Sequence, residues 1–171
     1  MRKAAGSLVL AAVTAGSLAT FAAPAQAAPE AAKAKNPYAH TQLERVWAPN
    51  RCLSMGGSKK NNARLKLAKC VKKYKTQRWT LKRVYSNKSI FVIKNDKSGK
   101  CLTVGSKNRL VQKTCHSTWK SHQWVLGGSK IANRAKGKVI ASKSTKVGSY
   151  PYLEKSGSSN KARGRQEWGL S

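Results

Sequence analysis

Hydrophobic positions fall into two patterns along this chain. Near the N-terminus they form one apolar run, from Leu8 to Ala23, behind the charged residues Arg2 and Lys3. Ala25-Gln26-Ala27 then supplies small residues. Charge, apolar run and small-residue site together predict a secretory signal peptide over residues 1–27, with cleavage after Ala27, and hence a secreted protein. Beyond it, apolar residues come singly or in short groups. No later stretch is long enough to span a bilayer, so no membrane insertion is expected. Residues 28–40, rich in Ala, Lys and Pro, predict a loose N-terminal arm before a single domain over 41–171.

Within that domain the pattern repeats. Trp79, Trp124 and Trp168 are spaced by 45 and 44 residues and open the phrases Trp79-Thr80-Leu81, Trp124-Val125-Leu126 and Trp168-Gly169-Leu170. Alternation of Trp with Leu predicts a strand with one buried face. Arg64-Leu65-Lys66-Leu67 also alternates, Arg109-Leu110-Val111-Gln112 sits at the corresponding place, and Ser89 to Ile93 forms another strand-like run. Turn chemistry separates these runs, at Gly56-Gly57, Asn61-Asn62, Asp96-Lys97-Ser98-Gly99, Gly127-Gly128 and Gly157-Ser158-Ser159-Asn160. No long amphipathic helix follows the leader. Many short strands with regular turns predict an all-β barrel or sandwich. Three copies are too few for a propeller, which usually takes about four blades or more, so a closed threefold barrel fits the count.

The cysteines keep the same register. Cys70 and Cys115 each stand nine residues before a repeat Trp, and Arg51-Cys52-Leu53-Ser54-Met55 matches Lys100-Cys101-Leu102-Thr103-Val104. The third copy reads Lys138-Val139-Ile140-Ala141-Ser142, with Val139 in place of Cys. An exported chain meets oxidising conditions, which favours two disulfides. Four cysteines allow three pairings, and the repeat selects Cys52–Cys70 and Cys101–Cys115, because equivalent positions should do equivalent work. Spacings of 18 and 14 residues, without a CxxC, argue against a metal site.

Charge narrows the partners. The full chain carries +30, from 35 Lys and Arg against 5 Asp and Glu, and loss of Arg2 and Lys3 with the leader leaves +28. Hydrophobic residues at 40% are too many for a disordered basic tail. The cations are scattered: Lys59-Lys60, Lys72-Lys73 with Lys75, Arg78, Lys82-Arg83, Arg134 with Lys136 and Lys138, and Arg163 with Arg165. Only Glu30, Glu44, Asp96, Glu154 and Glu167 oppose them. Such a surface draws polyanions, whether acidic glycan, wall polymer or nucleic acid. An enzyme is not expected. Glycoside hydrolysis takes two neighbouring carboxylates, and no GxSxG, HExxH or P-loop motif occurs. His116 and His122 lie close together in sequence without a nucleophile partner and read as loop residues. No cofactor is implied.

Gln77-Arg78-Trp79 and Gln166-Glu167-Trp168 carry a Gln-x-Trp motif near the ends of the first and third repeats, and His122-Gln123-Trp124 is a near match in the second. With Ser98-Gly99-Lys100-Cys101-Leu102 opening a repeat, residues 41–171 resemble the ricin B-type β-trefoil lectins, found also as carbohydrate-binding modules of secreted actinobacterial enzymes. The resemblance implies about twelve strands in three similar lobes, with Trp79, Trp124 and Trp168 in a shared core. It also implies a sugar pocket in each lobe. The parts would be an Asp two residues after the first Cys, an aromatic shortly before the second, and an Asn three residues before the Trp. Here the Asp position holds Ser54, Thr103 and Ala141, and the Asn position holds Thr76, Ser121 and Arg165. Ala68 and Lys113 stand near the first two aromatic positions, while Tyr150 and Tyr152 fall near the third. The first two lobes are therefore expected to lack galactose recognition, and the third to keep a weakened site. Tyr74 and Trp119, each five residues before a repeat Trp, either cover a disulfide or face a ligand. Trp47 reads as core or a strand end. The expected function is a secreted lectin-like module for surface or anionic glycans. The alternatives are an adaptor subunit of a secreted multi-protein assembly such as a bacterial toxin particle, and a cationic protein that binds polyanions or nucleic acid.

Overall fold

The structure, a computed structural model, describes residues 35–171. The predicted signal peptide and residues 28–34 of the predicted arm lie outside the described residues. Each repeat contributes four strands. The first holds β1 (Thr41–Arg45), β2 (Arg51–Ser54), β3 (Lys66–Lys69) and β4 (Arg78–Arg83). The second holds β5 (Ile90–Asn95), β6 (Cys101–Val104), β7 (Leu110–Lys113) and β8 (Gln123–Gly127). The third holds β9 (Lys130–Asn133), β10 (Lys138–Ala141), β11 (Tyr152–Glu154) and, after a short helix α1 (Asn160–Gln166), β12 (Trp168–Leu170).

The first and fourth strands of each repeat build a barrel with the order β12–β1–β4–β5–β8–β9, every pair antiparallel. The ring closes where the Trp168 N–H donates to the Ser129 carbonyl, just before β9, at 2.7 Å. The second and third strands pair as the hairpins β2–β3, β6–β7 and β10–β11. Each hairpin is tied to the barrel strand preceding it. Three four-stranded lobes around one barrel make a β-trefoil.

Alternation decides what fills it. Trp79 and Leu81 point inward from β4 while Arg78, Thr80 and Lys82 point outward. Trp79, Trp124 and Trp168 are buried in one cluster with Leu53, Leu102 and Ile140. Each indole N–H donates to an equivalent carbonyl: Trp79 to Leu53 at 3.1 Å, Trp124 to Leu102 at 3.0 Å and Trp168 to Ile140 at 3.1 Å. A buried indole thus contributes apolar area, at about 25 cal/mol per Å², without stranding its one polar group.

The barrel strands end in braced turns. The Asn95 amide donates to the carbonyls of Thr76 and Arg78 and accepts from the N–H groups of Lys97 and Ser98. Asn133 repeats this with Ser121, Gln123, Ala135 and Lys136. Gly99 and Gly137 then take positive φ, at 68° and 60°, and Asn50 does so in the first lobe at 66°. There the asparagine of the brace is replaced by Arg45. Its guanidinium is buried over the Trp168 ring and donates to the Gly164 carbonyl, while its Nε and Nη1 have no partner.

Three expectations need correction. The end of the arm is docked: Asn36 donates to the Leu81 carbonyl at 2.9 Å, and Tyr38 packs edge-on against Phe91 at 5.5 Å. Trp47 is neither core nor strand end. It lies beyond β1, 51% exposed, with its N–H held by the Glu167 carboxylate at 2.7 Å. His122 is no free loop residue but fully buried at the end of a 3₁₀ turn, Lys120–His122. The sequence gap between Tyr152 and Trp168 is filled by α1, capped by the Ser159 hydroxyl accepting from the Ala162 N–H. Among the described residues no helix is long and apolar enough to cross a membrane.

Candidate functional site

The Gln-x-Trp glutamine works as a clamp. Gln77 accepts from the Val71 N–H and donates to the Lys69 carbonyl, each at 2.8 Å, so it grips the chain on either side of Cys70. Gln166 does the same to Gly157 and Lys155, at 3.0 and 2.9 Å. In the second lobe His122 supplies only the acceptor half, through Nδ1, to the His116 N–H at 3.2 Å. Burial first, then the neighbouring His116 and Lys113, pushes the His122 pKa below its ordinary value. Cys52 is bonded to Cys70 and Cys101 to Cys115. Glu44 sits beside the first bridge, but both sulfurs are consumed by each other, which leaves no thiolate for a metal.

At the sugar positions the lobes differ. Ser54 and Thr103, at the expected Asp position, are 3% and 1% exposed. Their hydroxyls turn inward to the carbonyls of Thr76 and Ser121, at 3.5 and 3.0 Å. These carbonyls belong to the residues at the expected Asn position, so in both lobes the hydroxyl at the Asp position is spent on the backbone there. In the third lobe Ala141 has no polar group to offer, and strand register places Tyr152 directly opposite it. The position equivalent to Ala68 and Lys113 is Glu154, two residues further on. Here a hollow of about 450 Å³ is lined by Tyr150, Tyr152, Lys143, Ser142, Ser144 and Ser149. Arg64 stacks over one face of Tyr150, its guanidinium 3.9 Å from the ring centre. The Tyr152 hydroxyl donates to Glu154 at 2.7 Å, and burial followed by that carboxylate pushes its pKa up to about 12. Burial disfavours charge on Glu154, but hydrogen bonds from Gln166, Tyr152 and Arg165 outweigh it and hold the carboxyl below its ordinary value.

The other two candidate aromatics stand apart from that hollow. Tyr74 and Trp119 are each 51% exposed. Tyr74 lies among Lys73, Lys75 and Lys97. Trp119 stacks on His116, with ring centres 3.9 Å apart and planes 13° from parallel.

Carboxylates are engaged internally throughout the described residues. Glu44 accepts from the Asn50 N–H at 2.5 Å. Asp96 accepts from the Thr80 hydroxyl at 2.9 Å and lies 2.6 Å from His40 Nδ1. Glu154 has the partners named above. Glu167 accepts from Arg163 and the Trp47 indole, each at 2.7 Å, and Arg163 first, then Trp47, holds it below its ordinary pKa. Sequence reasoning listed these acids but had no signal for their internal commitment, since every partner but Asn50, Tyr152 and Arg163 is distant in the chain or on a neighbouring strand.

Solved structures with this architecture include a designed threefold-symmetric protein, ThreeFoil. It is 19% identical, has a TM-score of 0.64, and the match covers 77% of this chain and 96% of that one. The C-half of an earthworm R-type lectin, solved with GalNAc, is 12% identical with a TM-score of 0.61, covering 77% and 97%. The Haemophilus ducreyi cytolethal distending toxin is 16% identical with a TM-score of 0.65, covering 85% and 87%. No curated protein sequence matches the chain. The profile of the ricin-type beta-trefoil lectin domain matches residues 39–168, most of the chain, with all three repeat tryptophans inside it. The chain belongs to the ricin-type β-trefoil lectin domain family.

Proposed function

We propose that the chain is a secreted, lectin-like carbohydrate-binding module that recognises surface glycans bearing acidic groups, with the third lobe as its sugar site. The observation that supports this reading is the asymmetry of the lobes. Ser54 and Thr103 are spent on internal hydrogen bonds, whereas Tyr150, Tyr152 and Lys143 border an open hollow. A pyranose stacks its apolar face on the free side of Tyr150, the neighbouring serines meet its hydroxyls, and the Lys143 ammonium pairs with a carboxylate or sulfate. The leader-like N-terminus and the two disulfides support an oxidising, extracellular setting.

The test is an array of neutral and acidic glycans, probed at low and physiological salt with the wild type and Tyr150→Ala. Tyr150 is 50% exposed, so its truncation leaves the core alone. The expected result is selective binding to acidic glycans that survives physiological salt and falls about tenfold or more in the variant. Equal binding by both proteins sinks the third-lobe site. A second reading, an adaptor in a secreted assembly, is favoured by Val46 and Leu170, exposed apolar residues lining one shallow groove beside the barrel seam. Absence of all glycan binding, with Val46→Ser abolishing capture of one defined partner protein, supports that reading instead.

A further inference from the structure

We propose a second binding site, separate from the third-lobe hollow: an open cationic groove along the outer face of β4 and β5 that takes a linear acidic polysaccharide. Strand alternation builds it. Arg78, Thr80 and Lys82 face outward from β4, with Lys94 opposite Thr80 and Val92 opposite Lys82 on β5. Alternate residues on a strand are roughly 7 Å apart, so Arg78, Lys94 and Lys82 form a row with steps of about that length. Three hollows adjoin along the row. One, with Lys73, Tyr74, Lys75 and Lys97, shares Lys75 with the next, which shares Lys82, Lys94 and Gly99 with the third. Arg83 ends the row, and Val84 and Val92 give the last hollow an apolar floor.

Only Asp96 opposes this charge, beside Arg78. The one acid lining the groove, Asp96, has a side chain only 10% exposed and is occupied by Thr80, His40 and Arg78. The other three carboxylates of the described residues are engaged elsewhere. Ordinary surfaces intersperse both signs, whereas here Lys75, Lys82, Lys94 and Lys97 are exposed cations without an acidic neighbour within ion-pair reach.

The shape and the residue types favour a polysaccharide over nucleic acid. The groove is open along its length and therefore fits a chain passing through rather than a chain end. Its cations are mostly lysines, point charges that pair with spaced sulfates or carboxylates without demanding the edge of a base. Single-stranded nucleic acid needs successive aromatic platforms for stacking. The groove offers Tyr74, at one end. Val84, Val92 and the lysine stems supply an apolar floor for pyranose faces instead.

The test compares two triple variants of the full protein with equal net charge. K75S/K82S/K94S empties the groove, and K59S/K136S/K161S removes exposed lysines elsewhere. The probes are a heparin decasaccharide as the sulfated source and a polygalacturonate decamer as the carboxylate source, with a single-stranded DNA decamer for comparison. The groove triple should bind at least one acidic glycan about tenfold or more weakly and show a flatter dependence of log Kd on log salt. The control triple should stay within about twofold. Both triples keep the third-lobe hollow intact, so salt-resistant binding that persists in the groove triple and is lost when Tyr150→Ala is added belongs to the third lobe, which separates failure here from failure of that site. Thermal unfolding checks that both triples fold, and the single variants Lys82→Ser and Lys94→Ser should rank the same way. Equal weakening by both triples overturns the groove, as does tighter binding to DNA than to both glycans, or no binding to either glycan.

Discussion

Replacing His122 with Gln rebuilds in the second lobe the clamp that Gln77 and Gln166 make in the other two. The imidazole accepts one hydrogen bond, from the His116 N–H, where Gln77 accepts from the Val71 N–H and also donates to the Lys69 carbonyl. The variant therefore gains about one net hydrogen bond, about 0.5–1.5 kcal/mol near neutral pH, which raises Tm by roughly 2–8 °C. Acid adds a second, separable effect. His122 is held below its ordinary pKa of 6.5, by burial and then by His116 and Lys113, so the unfolded chain takes up this proton before the folded one. Wild-type stability from this site is thus complete above 6.5 and is lost as pH falls below it. The variant has no proton to take up there. Thermal unfolding followed by circular dichroism between about pH 7.5 and 5 should show a Tm gap in favour of Gln that widens toward acid. His40 and His116 are present in both proteins, so the comparison is between His and Gln at position 122 alone. A gap that stays constant, or narrows toward acid, refutes the argument that Nδ1 must remain an acceptor in the folded state.

Two further outcomes follow from the core. Trp79→Phe keeps a ring but strands the buried Leu53 carbonyl and leaves a void, so urea denaturation should show a loss of about 2–4 kcal/mol; a loss below about 1 kcal/mol contradicts the role given to the indole N–H. Arg45→Met removes a buried guanidinium whose Nε and Nη1 have no partner, and should stabilise by about 1–3 kcal/mol in the same assay; destabilisation of that size means the stack on Trp168 and the bond to Gly164 outweigh the desolvation.

The repeat was legible because its markers are costly residues at fixed positions. Three indoles and two cysteine pairs announce where strands turn inward, and the threefold all-β architecture follows from their spacing. The third lobe was harder to align because α1 inserts extra residues between Tyr152 and Trp168, which shifts the aromatic register until strand pairing fixes it. Arg45 was invisible as a core residue, since a charged side chain in sequence reads as solvent-facing and its asparagine equivalents, Asn95 and Asn133, sit in different local words. Trp47 misled for the opposite reason, being a large apolar residue whose polar tip is held by Glu167 while its ring stays exposed. The outward stripe Arg78, Thr80, Lys82 was readable from alternation alone. The groove was not, because its other wall is Lys94 on a neighbouring strand.

Strand β12 lies against β1, and Gln42 and Ser171 exchange two backbone hydrogen bonds, at 2.6 and 3.2 Å. This seam sets an order of assembly. Until the last strand arrives, the first has a bare edge, and the ring cannot close on any partial chain. The two disulfides behave differently, because each spans only 18 or 14 residues and can form within its own lobe. The first two lobes thus each carry a covalent link of their own, while the third has none and is closed by α1 and β12. Closure joins strands at opposite ends of the domain, so the ring is complete only when all three lobes are in place.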